Sequence, residues 1–257
     1  MKGKTMANDF LGFIAYEGPS MLDGAPIVVI VNRIDDASGN EKTGALVQSF
    51  IIRADVEPTA ALRTGDDESI CGACPHRPLL ARETGAAPCY VNVGRSVRSV
   101  YDAYKRGRYE RAPLDVIARR LTGKRLRLGT YGDPAAAPIH VWQAIVAFTI
   151  GRAGYTHQWQ RPEFDHAAWA PLLMASADTI EEAALANVYG MRAFRVSIGV
   201  DVQPGEISCP ASEEAGRRTT CANCLLCGGT SKRAKDIVIA DHAAGHKRRV
   251  IALGVAA

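Results

Sequence analysis

Short apolar runs alternate along the chain with longer amphipathic segments, the pattern that predicts parallel strands joined by helices. Two β-branched runs, APIVVIVNRI (25–34) and ALVQSFIIR (45–53), flank the turn-rich DDASGNEKTG and predict an N-terminal hairpin or lead-in strand. Counting from the second run, strands are expected at 47–53, 90–93, 126–131, 155–159, 171–176, 191–198, 206–209 and 236–241. Helices are expected over SVRSVYDAYKRGRYE, PLDVIARRLTG, IHVWQAIVAFTIGRAG and ADTIEEAALANVYG. The last has Asp178 or Thr179 placed to cap it and Glu182 near the third position. Eight strands with intervening helices in 257 residues predict a (β/α)8 TIM-like barrel with cysteine-rich metal-binding loops. An open doubly wound sheet is the alternative. Nothing marks a second domain: residues 1–53 supply lead-in strands, and 54–257 the barrel with its metal-binding insertions.

One stretch breaks the alternation. VEPTAALRTGDDESICGACPHRPLLARETGAAP (56–88) is irregular, and a loop that long in a compact domain calls for something to staple it. It carries Cys71 and Cys74, with Cys89 directly after it. The other four of seven cysteines are Cys209, Cys221, Cys224 and Cys227. An intracellular chain keeps its thiols reduced, so this clustering points to metal before disulfides; buried, unligated thiols are the plain alternative. The C-x2-C-x2-C of residues 221–227, with Cys209-Pro210 as the remote partner, suits an iron–sulfur cluster. Four thiolates also bind Zn2+ tetrahedrally, and His242 or His246 are alternatives to Cys209 as fourth ligand. For Cys71, Cys74 and Cys89, His76 is placed to complete a Cys3His zinc site. Alternatively, the three thiolates hold a [4Fe-4S] cluster with one open coordination position. The C-x3-C-x2-C spacing of radical S-adenosylmethionine enzymes is absent.

Polar residues also stand where strands are expected to end: Tyr131 and Asp133 in YGDP, His157, Ser176, Arg195, and Asp241 beside His242. In a barrel those ends carry the chemistry. Taken singly, Asp133 also reads as a turn residue before Pro134, His157 as a half-buried histidine and Arg195 as an ion-pair partner. Charge adds one feature. Net charge is only +4, but Arg95 to Arg127 holds eleven Lys or Arg against three acids, with Tyr101, Tyr104 and Tyr109 interleaved. That predicts a DNA-contacting surface, or else a solvated helix face. No apolar run is long enough to cross a membrane, and the N-terminal residues lack a signal-peptide pattern. A cytoplasmic protein is expected.

The motifs KTG…VQSFI, CGAC…CYV, YGDP, YTHQW, MAS, RAFRV, CPAS and C-x2-C-x2-C together resemble the "gene product 88" type of tailed-phage proteins, from about residue 42 to 242. More distantly, a barrel with a late cysteine-rich zinc site is similar to the tRNA-guanine transglycosylases and DNA 7-deazaguanine transglycosylases. Their late motif is C-x-C-x2-C with a following histidine, whereas here it is C-x2-C-x2-C. The resemblance implies exchange of a guanine for a modified-guanine base in phage DNA, in the cytoplasm of a bacterial host, through a covalent aspartyl intermediate. Asp133 would then be the nucleophile, with Asp241 the second carboxylate and His157 also catalytic. Tyr131, Ser176 and Arg195 would contact the base, with Zn2+ on the cysteines. The competing readings are an iron–sulfur enzyme with an open-site cluster and a non-catalytic zinc-stabilised DNA-binding protein.

Overall fold

The computed structural model describes residues 10–36, 40–86, 89–197 and 201–240. Ten strands form one sheet: β1 (Gly12–Pro19), β2 (Pro26–Asn32), β3 (Val47–Arg53), β4 (Glu110–Arg111), β5 (Arg125–Tyr131), β6 (Gly151–Thr156), β7 (Met174–Ala177), β8 (Ala193–Ser197), β9 (Glu206–Ser208) and β10 (Asp236–Ala240). Nine short α-helices connect or flank them. These are α1 (Pro58–Thr64), α2 (Glu68–Cys71), α3 (Pro78–Thr84), α4 (Arg98–Lys105), α5 (Leu114–Arg120), α6 (Ile139–Val146), α7 (His166–Trp169), α8 (Ile180–Val188) and α9 (Cys221–Cys224) among the described residues.

The sheet runs β4-β1-β2-β3-β5-β6-β7-β8-β10-β9. The expected hairpin is present: β2 pairs antiparallel with β3, Ile27 opposite Arg53 and Asn32 opposite Gln48. Ile27 to Val31 are fully buried, so β2 is covered on both faces. From β3 onward every pairing is parallel. β4 joins the far edge beside β1, and from β5 to β8 each new strand is added on the same side of the last. Right-handed crossovers then put the connecting helices on one face and leave the other free. Side-chain alternation agrees. Leu126 and Leu128 of β5 pack in one core with Trp142 and Ile145 of α6. Ala175, Ala177 and Ala193 pack with Ala183 and Ala186 of α8. The alternate residues Tyr155, Phe194, Ile237 and Ile239 cluster with Cys209, Cys221 and Cys227 on the opposite face.

The closed barrel is not what the chain builds. β4 and β9 end an open sheet, and the antiparallel β1–β2 pair occupies the flank of β3 that closure would need. The segment expected as a strand at 90–93 does not pair. Cys89 donates its backbone N–H to the carbonyl of His76, and the chain then enters a π-helical turn, Val93–Val97, ahead of α4. Strand β1 was not anticipated, and β6 lies four residues earlier than the expected start at 155.

Two other expectations change. Arg195 faces away from the open face and forms a buried bidentate pair with Glu206, with Nε and Nη2 each 2.7 Å from a carboxylate oxygen. Glu206→Gln is expected to cost about 2 kcal/mol, the worth of hydrogen bonds to a charged group. An unchanged urea midpoint would show that the pair contributes nothing. The basic segment keeps exposed cations, among them Arg95 and Arg106, but it does not present the expected stacking rings. Tyr101 and Tyr109 are buried, and Tyr104 donates its hydroxyl to Glu17. Arg98, Arg111, Arg119, Arg120 and Lys124 all face carboxylates. Among the described residues no helix is long and apolar enough to cross a membrane.

Candidate metal centres on one cavity

The open face of the sheet holds a cavity of about 520 Å³, and all seven cysteines line it. They form two groups.

The first group sits in the long connection after β3. Helix α2 ends at Cys71, and Gly72 turns the chain at φ 51°. A Cβ at Gly72 would lie 2.2 Å from Gln158 Oε1, so only glycine fits there. Gln158 holds the turn from the other side: its Oε1 accepts from Ala73 N, and its Nε2 donates to Cys71 O. Arg77 donates to Gly72 O, Gly65 O and Asp67, closing the loop around the cysteines. The N–H of Cys89 on His76 O brings in the third thiol. Burial pushes the Cys71 thiol well above its ordinary pKa, reinforced by Cys74 and Cys89.

Asp133 anchors this arrangement at the end of β5. Its carboxylate accepts from Ala135 N at 3.0 Å, Thr156 Oγ1 at 3.0 Å, His157 N at 2.8 Å and Gln158 Nε2 at 3.2 Å. Its own N–H donates to Ile70 O. Burial raises its pKa, and the four donors oppose that rise. The carboxylate therefore ties β5 and β6 to the cysteine loop.

Beside it, His157 follows β6 and Asp178 follows β7. His76 Nε2 lies 3.1 Å from Asp178 Oδ1, and His157 Nε2 lies 3.6 Å from Asp178 Oδ2. Burial alone would lower the His157 pKa, but the Cys74 thiolate and Asp178 carboxylate hold it up at about 10. Burial likewise opposes the ionisation of Asp178, yet its two histidine partners keep its carboxyl far below the usual range.

The second group closes the far part of the cavity. Cys209 follows β9, its N–H on Val238 O, while Cys221 and Cys224 bound α9, which Thr220 caps. Cys221 N and Ala222 N donate to the carbonyls of Lys42 and Thr43, so this loop packs against the lead into β3. Gly154 N donates to Cys227 O, and the Tyr155 hydroxyl bonds the Cys227 sulfur. Burial pushes the Cys209 and Cys221 thiols up, and Cys227 up to about 12, with repulsion from the neighbouring thiols adding to each. Thiols held up in this way become thiolates together only when a cation compensates their charge.

The cysteine sulfurs are not packed as a single ion would pack them. The donor atoms of His76, His157 and Asp178 all lie within 4.8 Å of one another; among the described residues no three cysteine sulfurs do.

Of the other expected site residues, Tyr131 and Ser176 line the cavity, and the Tyr131 hydroxyl is buried with no partner. Arg195 does not line it. Asp241, His242 and His246 lie outside the described residues. Asp178 is a site residue that the sequence presents only as a helix cap. The cap is Thr179, whose Oγ1 accepts from Glu182 N, and this leaves the Asp178 side chain for the histidines. The strand-end rule that singled out Ser176 would have reached Asp178 had β7 been extended to Ala177. Arg127, which the sequence marks only by its charge, lines the cavity and donates to the Tyr90 hydroxyl at 2.8 Å. Compared with known proteins, the chain matches no family model, no curated protein and no solved structure.

Proposed function

We propose that the protein is an iron–sulfur enzyme. In this reading Cys71, Cys74 and Cys89 hold a cluster with one open iron facing the cavity, and Cys209, Cys221, Cys224 and Cys227 hold a fully ligated one. The observation that carries the reading is the placement of all seven cysteines on one cavity with sulfurs spread beyond the spacing of a single-ion site. Zn–S bonds of about 2.3 Å in a tetrahedron bring sulfurs to about 3.8 Å of one another. A cluster of several irons holds its cysteines farther apart. Bound there, such clusters supply one-electron transfer and an open iron for a ligand.

The chain's own residues fit that role. Lys42 and Arg127 act electrostatically on Cys221, and Lys42 on Cys209 as well, offsetting the negative charge that four thiolates bring. The Tyr155 hydroxyl on Cys227 is the kind of hydrogen bond to sulfur that sets a cluster's potential. Near the first group Tyr131 lines the cavity, and its buried, unpartnered hydroxyl is a candidate to hold a small substrate near the open position.

Base exchange through an aspartyl nucleophile draws less support. The Asp133 carboxylate is committed to four donors. A zinc-stabilised DNA-binding protein would use the thiols as ligands but leave the cavity they line without a role. Metal and acid-labile sulfide analysis of protein purified without oxygen tests the proposal. Brown protein with iron and sulfide in near-equal amounts at both cysteine groups is expected. Colourless protein carrying stoichiometric zinc would refute it.

A further inference from the structure

We propose that His76, His157 and Asp178 bind a divalent transition-metal ion of their own at the edge of the cavity, whatever the cysteines hold. The three side chains come from the connections after β3, β6 and β7, so the fold gathers them at the carboxyl ends of three parallel strands. Their donor atoms lie within 4.8 Å of one another. His76 Nε2 lies 3.1 Å from Asp178 Oδ1 and His157 Nε2 lies 3.6 Å from Asp178 Oδ2, close to the spacing that one ion imposes on its ligands. Bonds of about 2.0–2.2 Å in a tetrahedron place neighbouring ligand atoms roughly 3.3–3.6 Å apart. No side chain has to move far to ligate.

Two further features favour an ion over a bare hydrogen-bonded relay. The His157 Nε2 atom is buried and has no hydrogen-bond partner, the sort of orphan that a missing ligand explains. The 3.6 Å separation from Asp178 is also too long for a good hydrogen bond. The two imidazoles meet edge to face, at 5.5 Å and 72°, so they do not stack and their nitrogens can converge on one point. Each ligand's backbone is fixed as well. His157 N donates to Asp133, Asp178 N donates to Glu182, and His76 O accepts from Cys89 N. Preorganisation of that kind is what a metal site needs from its supporting shell.

Two imidazoles and one carboxylate suit zinc, iron(II) or cobalt(II), and not the all-oxygen preference of calcium or magnesium. Three protein ligands leave coordination positions open, as in catalytic centres. His76 and His157 both line the cavity, so those positions face it. The ligand they take is a water or an anionic oxygen of whatever molecule occupies the cavity.

Cobalt(II) tests this on anaerobically purified protein whose cysteine centres are already filled. One equivalent is expected to bind with weak ligand-field bands and without intense sulfur-to-cobalt charge transfer. Asp178→Asn and His157→Gln are each expected to weaken that uptake by about a hundredfold or more, since even outer-shell changes cost 10–100-fold. Their cysteine-bound metal, measured on the same samples, is expected to stay at the parent level. Failure to take up cobalt would overturn the proposal. So would uptake unchanged in both variants, or a sulfur charge-transfer spectrum assigning the ion to cysteine. If one variant does not fold, the other decides. Cysteine-bound metal is read separately, so a zinc-loaded, colourless protein would defeat the iron–sulfur reading and leave this one standing.

Discussion

Cys227→Ser is expected to empty the second cysteine centre and to lower the melting temperature sharply. The Cys227 thiol is buried among Cys209, Cys221 and Cys224, and without a cation burial and those neighbours hold it up at about 12. A hydroxyl in its place is a far poorer ligand, so the set falls from four donors to three. Metal binding by crowded thiols is folding free energy, about 10–16 kcal/mol for structural zinc in small domains. Losing one ligand of four should therefore cost on the order of 5 kcal/mol, a large share of the 5–15 kcal/mol that holds a typical domain together. The damage should spread, because the same loop meets Lys42 and Thr43 ahead of β3 and Gly154 on β6. Under the iron–sulfur proposal this variant keeps only the iron of the first group, whereas Cys71→Ser keeps only that of the second. Unchanged metal content together with unchanged melting in Cys227→Ser would rule out a shared centre in this group.

The sequence made some of this visible and hid the rest for identifiable reasons. Runs such as PIVVIVN and VQSFIIR are β-branched and apolar on successive residues, so their strands could be read locally. Cysteine spacing is equally local, and both groups were legible from it. Closure of a barrel is not local. It depends on whether the last strand returns to the first, and here the β1–β2 pair sits on that flank. The run at Cys89 has the apolar pattern of a strand but does not pair as one. Its backbone is instead engaged by the loop carrying His76. The tyrosines among the cations misled in another way. Val97, Val100, Tyr101 and Ala103 share the buried side of the helical segment, while Arg98 and Lys105 project outward, so interleaving in sequence became segregation in space. Asp178 shows how two functions compete for one reading: adjacent Asp and Thr both look like caps, and only the hydrogen bond from Glu182 N to Thr179 assigns the task.

Replacing Asp133 separates a nucleophile from a clamp. A nucleophilic aspartate changed to asparagine keeps its fold and metal and loses only turnover. The geometry leads to a different expectation. Oδ1 accepts from Ala135 N, and Oδ2 accepts from Thr156, His157 and Gln158, all in a buried setting. An asparagine can turn its oxygen toward the three donors, but its amide N–H2 then confronts the Ala135 N–H. One buried clash of donors, with loss of the charge-assisted bonds, should cost about 3 kcal/mol. Alanine is worse, since it leaves four donors unanswered at roughly 1–3 kcal/mol each before any relaxation. About 4 kcal/mol or more is expected to be lost in Asp133→Ala. The failure should also be local in its chemistry. Gln158 is shared between Asp133 and the carbonyl of Cys71, so a released Gln158 frees the turn at Gly72 that aims the first cysteines. The measurement pairs denaturant unfolding with metal content: a graded fall in stability, Asn then Ala, should accompany loss of metal from Cys71, Cys74 and Cys89 with the second group still loaded. An Asp133→Asn protein that unfolds at the parent's midpoint with full metal would return the carboxylate to the role of nucleophile.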